Sequence, residues 1–336
     1  MKVKFLVTPV GLMSGNIISA ARLREALERE GVTVTDEKDE RSYDLLHVHT
    51  PFPPGNALEV RRAKHAGIPV IMHTHTTAED AEGTWTGSGV LSGWVGRYLN
   101  AFYNMADLVL SPSEWTKARL RARGLKAPVE VLSNGIDLGE FSFDGAKRAR
   151  FRDRIGLSEG RKTVYLVGVV CLKKGVEVIP KVARLLPDLD FVWVGRRSNL
   201  YHPVKVRRAI SLCTPNVRFV GGIGDVLEAH CGGDVFFAPS FAENQGIAVM
   251  EAMAVGRPVV ARRLPVYEGL LEDGRNALLG ESPEDFAGAL ERAANDEPLA
   301  RSMASRARNS LEGHDMAKVA GRLVSFYDSL LERKSF

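Results

Sequence analysis

Short apolar runs alternate with amphipathic stretches along the chain, and this alternation restricts the possible fold more than any other feature of the sequence. The runs are continuously apolar, which is typical of strands that are covered on both faces. Residues 16–30, between the first two runs, have the spacing of a helix with one apolar face. Strands that alternate with helices form parallel sheets, because each helix carries the chain back to the start of the next strand. In the first half we expect strands at 4–9, 32–35, 44–49, 69–73, 106–111 and 129–133 and a second helix at 57–66.

The second half repeats the pattern after a charged stretch, residues 144–162, that has no strand signal. Strands are expected at 163–168, 190–195, 218–220 and 235–238, and helices at 176–186, 246–255, 283–295 and 316–332. A chain of 336 residues is too long for one ordinary core and suits two domains of about 150 residues each. We therefore predict an α/β protein with two doubly wound parallel sheets, a first domain at 1–157, a second at 158–312 and a terminal segment at 313–336.

Composition excludes several classes of protein. Hydrophobic residues make up 45% of the chain and charged residues 26%, a globular balance with no sign of disorder. The net charge of +4 favours anionic substrates or an anionic membrane surface and does not indicate nucleic-acid binding. Three scattered cysteines, Cys171, Cys213 and Cys231, lack zinc-binding spacing and fit a reduced compartment. No apolar run approaches the roughly 20 residues of a spanning helix, and the N-terminal run lacks a cleavage site, so we expect a cytoplasmic location.

Residues 235–260, VFFAPSFAENQGIAVMEAMAVGRPVV, combine a strand, a turn, a helix and a second strand with two carboxylates. Glu243 lies in the turn and Glu251 lies two turns into the helix. A helix that begins just past the carboxyl end of a strand offers free backbone N–H groups, here at 244–247, to a phosphate. Glu251 could accept hydrogen bonds from two sugar hydroxyls. Both glutamates could instead be solvated, but a carboxylate between Ala and Met on an apolar helix is costly unless it has a partner.

The segment SFAENQGIAVMEAMAVGRPVV resembles the Glu-x7-Glu signature of retaining glycosyltransferases of family 4. The resemblance implies the GT-B architecture, in which two Rossmann-like domains face a central cleft and the last helix crosses back to the first domain. It also implies that the first domain binds the acceptor, that the second binds a nucleotide-sugar donor, and that both glutamates contact this donor. Many members have Gly-Phe where this chain has Asn244 and Gln245.

Histidines concentrate at strand ends, in HVHTPFPP and MHTHTTAED. Alternating histidines on a strand face the same side and so raise a metal hypothesis, although a closed zinc site would need further ligands. His47 and His73 are expected to be hydrogen-bonded core residues. In the resemblance, the active-site histidine is the one followed by two small hydroxyl residues, which selects His75 and implies a hydrogen bond to the transferred sugar. His49 is a weaker candidate for contact with the acceptor.

Two lysines and a glycine follow the first strand of the second half, in CLKKG. They could form a solvated turn, but the resemblance aligns Lys174 with a lysine of the donor diphosphate site. A basic residue that commonly follows the strand glycine is replaced by Val169, so the charge would fall to Lys173 and Lys174. Catalysis is then expected to depend on His75, Lys174 and Glu243, and the donor to contact Gly15, Lys173, Lys174, Asn244, Gln245, Gly246, Ile247 and Glu251.

Cofactors are expected to be absent. A nicotinamide-binding enzyme is the rival reading of GLMSGN at 11–16, with Asp36 after the second strand, but the fingerprint G-x-G-x-x-G is incomplete. The resemblance also implies metal-independent transfer. It further implies a nucleotide diphosphate sugar as co-substrate, and we expect a UDP-sugar.

The acceptor is suggested by motifs spread along the chain, namely HTHTTAED, SNGID, FVWVG and RRLPVYEGLLEDG. Together with an insert at 83–104 they resemble the branch that glycosylates diacylglycerol. Trp85 and Trp94 in this insert would face either the acceptor lipid or the core, and a basic segment at 117–126 could rest on anionic headgroups. We therefore expect a cytoplasmic enzyme that binds the inner face of the membrane peripherally. A transferase for a soluble sugar or sugar phosphate and an inactive nucleotide-sugar binding module remain alternatives, and the sequence does not fix the oligomeric state.

Overall fold

The computed structural model describes residues 1–8, 14–37, 39–75, 77, 88–158, 160–197 and 203–333, without the side chains of 14–16, 88–92 and 203. Contacts divide these residues into two compact units. Unit 1 takes the described residues of Met1–Glu82, Gly89–Asp137 and Gly313–Phe336, and unit 2 contains Leu138–Glu312. The last helix therefore belongs to the first unit.

Unit 1 is built on a parallel sheet of six strands in the order β2-β1-β3-β4-β5-β6. Helices cover both faces of this sheet, which explains why its strands are continuously apolar. Side chains of α1 and α12 pack on one face, and side chains of α2 and α3 pack on the other. The elements are β1 (Lys2–Leu6), α1 (Ser14–Arg29), β2 (Thr33–Thr35), β3 (Leu45–Val48), α2 (Asn56–His65), β4 (Val70–His73), α3 (Ser88–Tyr103), β5 (Leu108–Ser111), α4 (Glu114–Ala122), β6 (Val129–Val131) and α12 (Met316–Glu332).

Unit 2 contains a second parallel sheet of six strands, in the order β12-β11-β10-β7-β8-β9. Its elements are α5 (Gly145–Ile155), β7 (Thr163–Val167), α6 (Ile179–Leu185), β8 (Asp190–Val194), α7 (Pro203–Ser211), β9 (Val217–Gly221), α8 (Val226–Gly232), β10 (Val235–Ala238), α9 (Ile247–Ala254), β11 (Val259–Arg262), β12 (Leu278–Gly280), α10 (Pro283–Asn295) and α11 (Glu297–Ser310). Side chains of α6, α7 and α10 bury one face of this sheet. The prediction of two doubly wound parallel sheets is confirmed.

Each sheet has a switch point where the direction of winding reverses. In unit 2 the chain runs from β7 outward through β8 and β9, and then returns to place β10 on the other side of β7. The loops that follow β7 and β10 therefore lead to helices on opposite faces of the sheet. A crevice opens between such loops at the carboxyl ends of the strands, and open α/β sheets bind ligands there.

Unit 2 begins about twenty residues before the boundary expected at 158, because the charged stretch forms helix α5 and this helix packs against α8. The Asp144 carboxylate accepts hydrogen bonds from the amides of Ala146 and Lys147, at 2.7 and 3.0 Å, and Gly156 ends the helix in the left-handed conformation. The helix is highly charged, and Phe151 and Arg152 are its buried residues. An apolar pattern was therefore too weak to indicate it, although both caps are readable in the sequence.

None of the helices within the described residues combines the length and the apolar character needed to cross a bilayer.

Candidate functional site

The crevice of unit 2 contains a pocket at the carboxyl ends of β7, β8 and β10. Apolar side chains of these strands form its floor, and polar groups come from the two loops beside it. Lys174 belongs to the loop after β7, whereas Glu243 and Gly246 belong to the loop after β10. The sheet topology thus brings together two charged residues that lie 69 positions apart in the chain.

Lys174 and Glu243 form an ion pair in this pocket. The Lys174 Nζ donates a hydrogen bond to the Glu243 Oε1 at 2.5 Å, and the two side chains are 29% and 11% exposed. Burial alone would raise the pKa of Glu243, but the charges of Lys174 and Lys173 outweigh it and hold this pKa below its usual value. A side-chain hydrogen bond with Ser240 acts in the same direction. Glu243 is therefore ionised at neutral pH, with cationic groups beside it.

The two loops are also joined through their backbones. The amide of Phe241 donates a hydrogen bond to the carbonyl of Lys173 at 2.7 Å. Arg262, from the end of β11, donates from its Nε to the carbonyl of Pro239 at 3.2 Å, and its guanidinium lies 4.3 Å from the centre of the Phe241 ring. The positions of Lys174 and Glu243 are consequently fixed by main-chain contacts as well as by their own ion pair.

Helix α9 begins at the edge of this pocket. Its N-cap is Gly246, at a φ of +86°, and a glycine has no side chain with which to cap the first amides of the helix. A Cβ at this position would lie 2.7 Å from the Tyr267 ring, so both the backbone conformation and the packing require glycine. Ile247 is the first helical residue. The positive end of the helix dipole therefore lies at the pocket, and such a helix end stabilises anionic groups.

Glu251 lies one turn further along α9 and is buried, with 6% of its surface exposed. Its Oε2 lies 3.3 Å from the Nε2 of His230, a fully buried residue of α8. The Nδ1 of His230 in turn lies 3.1 Å from the hydroxyl of Tyr165 on β7. The sequence correctly indicated that a carboxylate on this apolar helix needs a partner, but it gave no sign that His230 supplies one.

Unit 2 therefore brings Lys174, Glu243 and the N-terminus of α9 to one pocket. Lys173 is adjacent to Lys174 in the chain, and Glu251 lies one turn along the same helix. The cationic groups suit a ligand with several negative charges, such as a diphosphate. The carboxylates suit neutral hydroxyl groups, because ionised oxygens accept strong hydrogen bonds. Asn244 is partly buried and Gln245 is buried, and both lie in the loop that carries Glu243.

In unit 1 the predicted histidines form a buried stack at the ends of β3 and β4. The rings of His47 and His49 lie 4.2 Å apart, and those of His73 and His75 lie 4.4 Å apart. His47 Nδ1 lies 2.6 Å from the Tyr327 hydroxyl, which places His47 in the core as predicted. Burial lowers the pKa of His75 to about 4, although a hydrogen bond with Asn134 acts in the opposite direction. These rings are therefore neutral at physiological pH.

The same stack contains the described group of histidines that comes closest to a metal site. Single ring nitrogens of His47, His49 and His73 all lie within 4.8 Å of one another. The His47 and His73 rings are nearly parallel, at 7°, and the Nδ1 atoms of His47 and His49 already face Tyr327 and His75. The arrangement is that of stacked neutral rings.

Four further predicted residues belong to the first half of the chain, and the structure describes three of them. His49 is completely buried, and its Nδ1 lies 3.2 Å from the Nε2 of His75, so it contacts His75 and has no exposed surface for an acceptor. Gly15 lies in the first turn of α1, and the rest of its loop, residues 9–13, lies outside the described residues. Trp85 also lies outside them. Trp94 is 70% exposed on α3, and the guanidinium carbon of Arg97 lies 5.7 Å from the centre of its ring.

Comparison with known proteins identifies the family. The model of the group 1 glycosyl transferases matches residues 147–310, and the model of glycosyltransferase family 4 matches residues 8–140. The processive diacylglycerol alpha-glucosyltransferase of Acholeplasma laidlawii is 30% identical over 315 residues, which cover 93% of this chain and 92% of that protein. This chain belongs to family 4 of the glycosyltransferases.

The family assignment makes the protein a glycosyltransferase of a retaining family that uses a nucleotide-sugar donor. This chain is also 25% identical to a phosphatidyl-myo-inositol mannosyltransferase of Mycolicibacterium smegmatis, over 87% of this chain and 72% of that protein. Its fold matches Anabaena Alr3699/HepE in complex with UDP and glucose, with a TM-score of 0.80 and 19% identity over 98% and 100% of the chains. A sucrose-phosphate synthase of Thermosynechococcus elongatus gives a TM-score of 0.82 and 19% identity over 99% of both chains. These structural matches confirm the GT-B-like fold.

Proposed function

We propose that this glycosyltransferase moves a hexose, with retention of configuration, from a UDP-sugar to a hydroxyl group of a membrane lipid such as diacylglycerol. The observation that carries the donor assignment is the Lys174 and Glu243 pair beside the uncapped N-terminus of α9. Lys173, Lys174 and the amides of 244–247 bind the diphosphate. Glu251 accepts hydrogen bonds from the ribose, and Glu243 holds the sugar.

Cleavage of the bond between sugar and diphosphate leaves negative charge on the departing phosphate and positive character on the sugar ring. Fixed cations and amides at the phosphate stabilise charge that develops in the transition state, so they accelerate the reaction more than a strong base would. Lys174 is already held in the pocket by Glu243, and the glutamate also supplies negative charge near the sugar. The His75 imidazole, which is neutral, contributes a hydrogen bond to the transferred sugar and does not act as an acid.

A lipid acceptor is supported by unit 1 and by the relatives. Trp94 on α3 and Trp115 on α4 are 70% and 40% exposed, and each stacks with an arginine, Arg97 and Arg119, at 5.7 Å. Aromatic rings beside cationic side chains suit the interface of an anionic membrane. Two relatives named for lipid acceptors, from Acholeplasma laidlawii and Mycolicibacterium smegmatis, favour the same class of acceptor. The proposal therefore includes peripheral binding to the inner face of the membrane.

The donor and the acceptor can be tested together. Purified protein is incubated with radiolabelled UDP-, GDP- and ADP-hexoses and a membrane lipid extract, and the lipid phase is then separated and counted. Label from a UDP-hexose in an alkali-sensitive glycolipid is the expected result. Transfer to a water-soluble acceptor without lipid would replace the lipid assignment. Absence of both transfer and slow donor hydrolysis would identify a binding module and overturn the proposed enzyme activity.

Membrane binding has a separate test, in which three basic residues of unit 1 (Arg121, Arg123 and Lys126) are changed to glutamine. Each basic residue near an anionic surface contributes about 1 kcal/mol, so the partition coefficient should fall about a hundredfold. A matched control changes three exposed arginines of unit 2, Arg292, Arg301 and Arg306, to glutamine. Sedimentation with phosphatidylglycerol vesicles at low salt should separate the two variants. Equal sedimentation of both would count against a basic membrane-binding face on unit 1.

A further inference from the structure

We infer that Tyr165 and His230 form a buried hydrogen-bond chain that orients the Glu251 carboxylate toward the ribose hydroxyls of the donor. The inference rests on the proposed function, because it takes the donor ribose to be the ligand of Glu251. Tyr165 and His230 are positioning residues, since both act through Glu251 and neither touches the donor.

The chain of three groups crosses from the sheet to helix α9. It begins at the Tyr165 hydroxyl on β7, passes through the two ring nitrogens of His230 at 3.1 and 3.3 Å, and ends at the Glu251 Oε2. Tyr165 and His230 are fully buried and Glu251 is 6% exposed. A buried imidazole with both nitrogens in contact with polar groups cannot rotate without losing a hydrogen bond.

For a neutral His230 ring, only one arrangement of protons suits an ionised Glu251. If the Tyr165 hydroxyl accepted from Nδ1, a neutral ring would direct the lone pair of Nε2 at a carboxylate oxygen, which is repulsive. The hydroxyl therefore donates to Nδ1, and Nε2 carries the hydrogen that it donates to Glu251. Burial raises the pKa of Tyr165 well above its usual value, so the hydroxyl keeps its proton at neutral pH. The tyrosine thus selects the tautomer of His230 that Glu251 requires.

The backbone of His230 is held in place independently of its ring. Arg257 donates from its Nε to the carbonyl of His230 at 3.0 Å, and it also bonds to the carbonyl of Cys231. Arg148 and Arg152 donate to the carbonyl of Gly232, at 3.2 and 3.1 Å. Three arginines therefore satisfy the carbonyls at the end of α8, so a change of the His230 side chain need not displace its main chain.

The experiment compares binding of ribose and deoxyribose forms of the same nucleotide. Dissociation constants of UDP, GDP and ADP and of their 2′-deoxy and 3′-deoxy forms are measured by calorimetry for the wild type and for His230→Leu, His230→Gln and Tyr165→Phe. Loss of a hydroxyl that bonds to an oriented carboxylate should weaken binding to the wild type about tenfold for at least one deoxy form. In His230→Leu the ratio of the two dissociation constants, deoxy form over ribose form, should fall to about two.

The other two variants separate orientation from folding. A glutamine amide can donate at the position of Nε2, so His230→Gln should keep most of the wild-type ratio. Tyr165→Phe removes one hydroxyl and no packing volume, and its ratio should fall between those of the wild type and His230→Leu, even if the leucine variant does not fold. Melting temperatures show which variants are folded, and a merely structural role would lower affinity for ribose and deoxyribose forms equally.

The outcomes distinguish this inference from the proposed function. If the wild type binds none of the nucleotides, or binds ribose and deoxyribose forms equally, the donor assignment itself is wrong. If the wild type discriminates and both His230→Leu and Tyr165→Phe retain its ratio, the donor assignment stands and the positioning role of Tyr165 and His230 is overturned.

Discussion

Replacing Gly175 by alanine should drive apart the two loops that form the proposed donor site. Gly175 follows Lys174 and has a φ of +82°, and a Cβ at this position would lie 2.6 Å from the carbonyl oxygen of Pro239. Neither atom belongs to a flexible side chain, so backbone must move. The loops would separate where the Phe241 amide bonds to Lys173 and where Lys174 bonds to Glu243.

The size of the effect follows from two contributions. A left-handed conformation costs a residue with a Cβ about 1 to 2 kcal/mol. Overpacking against a well-ordered backbone costs about 1 to 3 kcal/mol more. The total, about 3 kcal/mol, is a large part of the 5 to 15 kcal/mol that ordinarily separates a folded domain from its unfolded state, yet it leaves the protein folded.

Gly256 provides a matched control for the conformational contribution. Its φ is +75°, and a Cβ there would meet no atom within 4 Å. The unfolding free energy of Gly256→Ala should therefore be lower than that of the wild type by about 1 kcal/mol, and the variant should keep its activity. Urea unfolding monitored by tryptophan fluorescence measures both free energies, and initial rates of transfer measure turnover. If Gly175→Ala is no less stable than Gly256→Ala and turns over at the wild-type rate, contact with Pro239 does not set the separation of the two loops.

Three further predictions concern the same pocket. Lys174→Met should lower turnover about 10² to 10³-fold at saturating nucleotide sugar, which is the usual effect of removing one hydrogen-bond donor to developing negative charge. A loss of less than threefold in initial rates would exclude Lys174 from the mechanism. The pKa of Glu243 in the folded state lies below its ordinary 4.5, so the carboxylate stabilises the fold above pH 4.5 and loses this effect as the pH falls through the folded-state pKa. The difference in unfolding free energy between wild type and Glu243→Gln should therefore shrink from pH 7 to pH 4. A constant difference in urea titrations would contradict this expectation. The unfolding free energy of Tyr267→Phe should equal that of the wild type or be higher by up to about 1 kcal/mol, because the Tyr267 hydroxyl is buried without a hydrogen-bond partner among the described residues. A lower melting temperature of the variant would reveal a partner.

Local sequence patterns were enough to predict the two sheets and to select the glutamates of the proposed donor site. The strand at Val235–Ala238 and the helices at Pro283–Asn295 and Met316–Glu332 lie where the apolar pattern predicts them. Such elements are readable because burial on both faces, helical spacing and caps are local properties of the chain. For the same reason Glu243 and Glu251 stood out as carboxylates in an otherwise apolar segment.

The partners of these residues were decided by tertiary structure. The switch of winding between β7 and β10 brings Lys174 to Glu243, and it was the packing of α8 beside α9 that placed His230 against Glu251. His49 is a predicted acceptor contact in the sequence, and the fold buries it completely with its Nδ1 3.2 Å from the Nε2 of His75. Contacts across a parallel sheet join residues far apart in the chain, and a local pattern carries no information about which of them will meet.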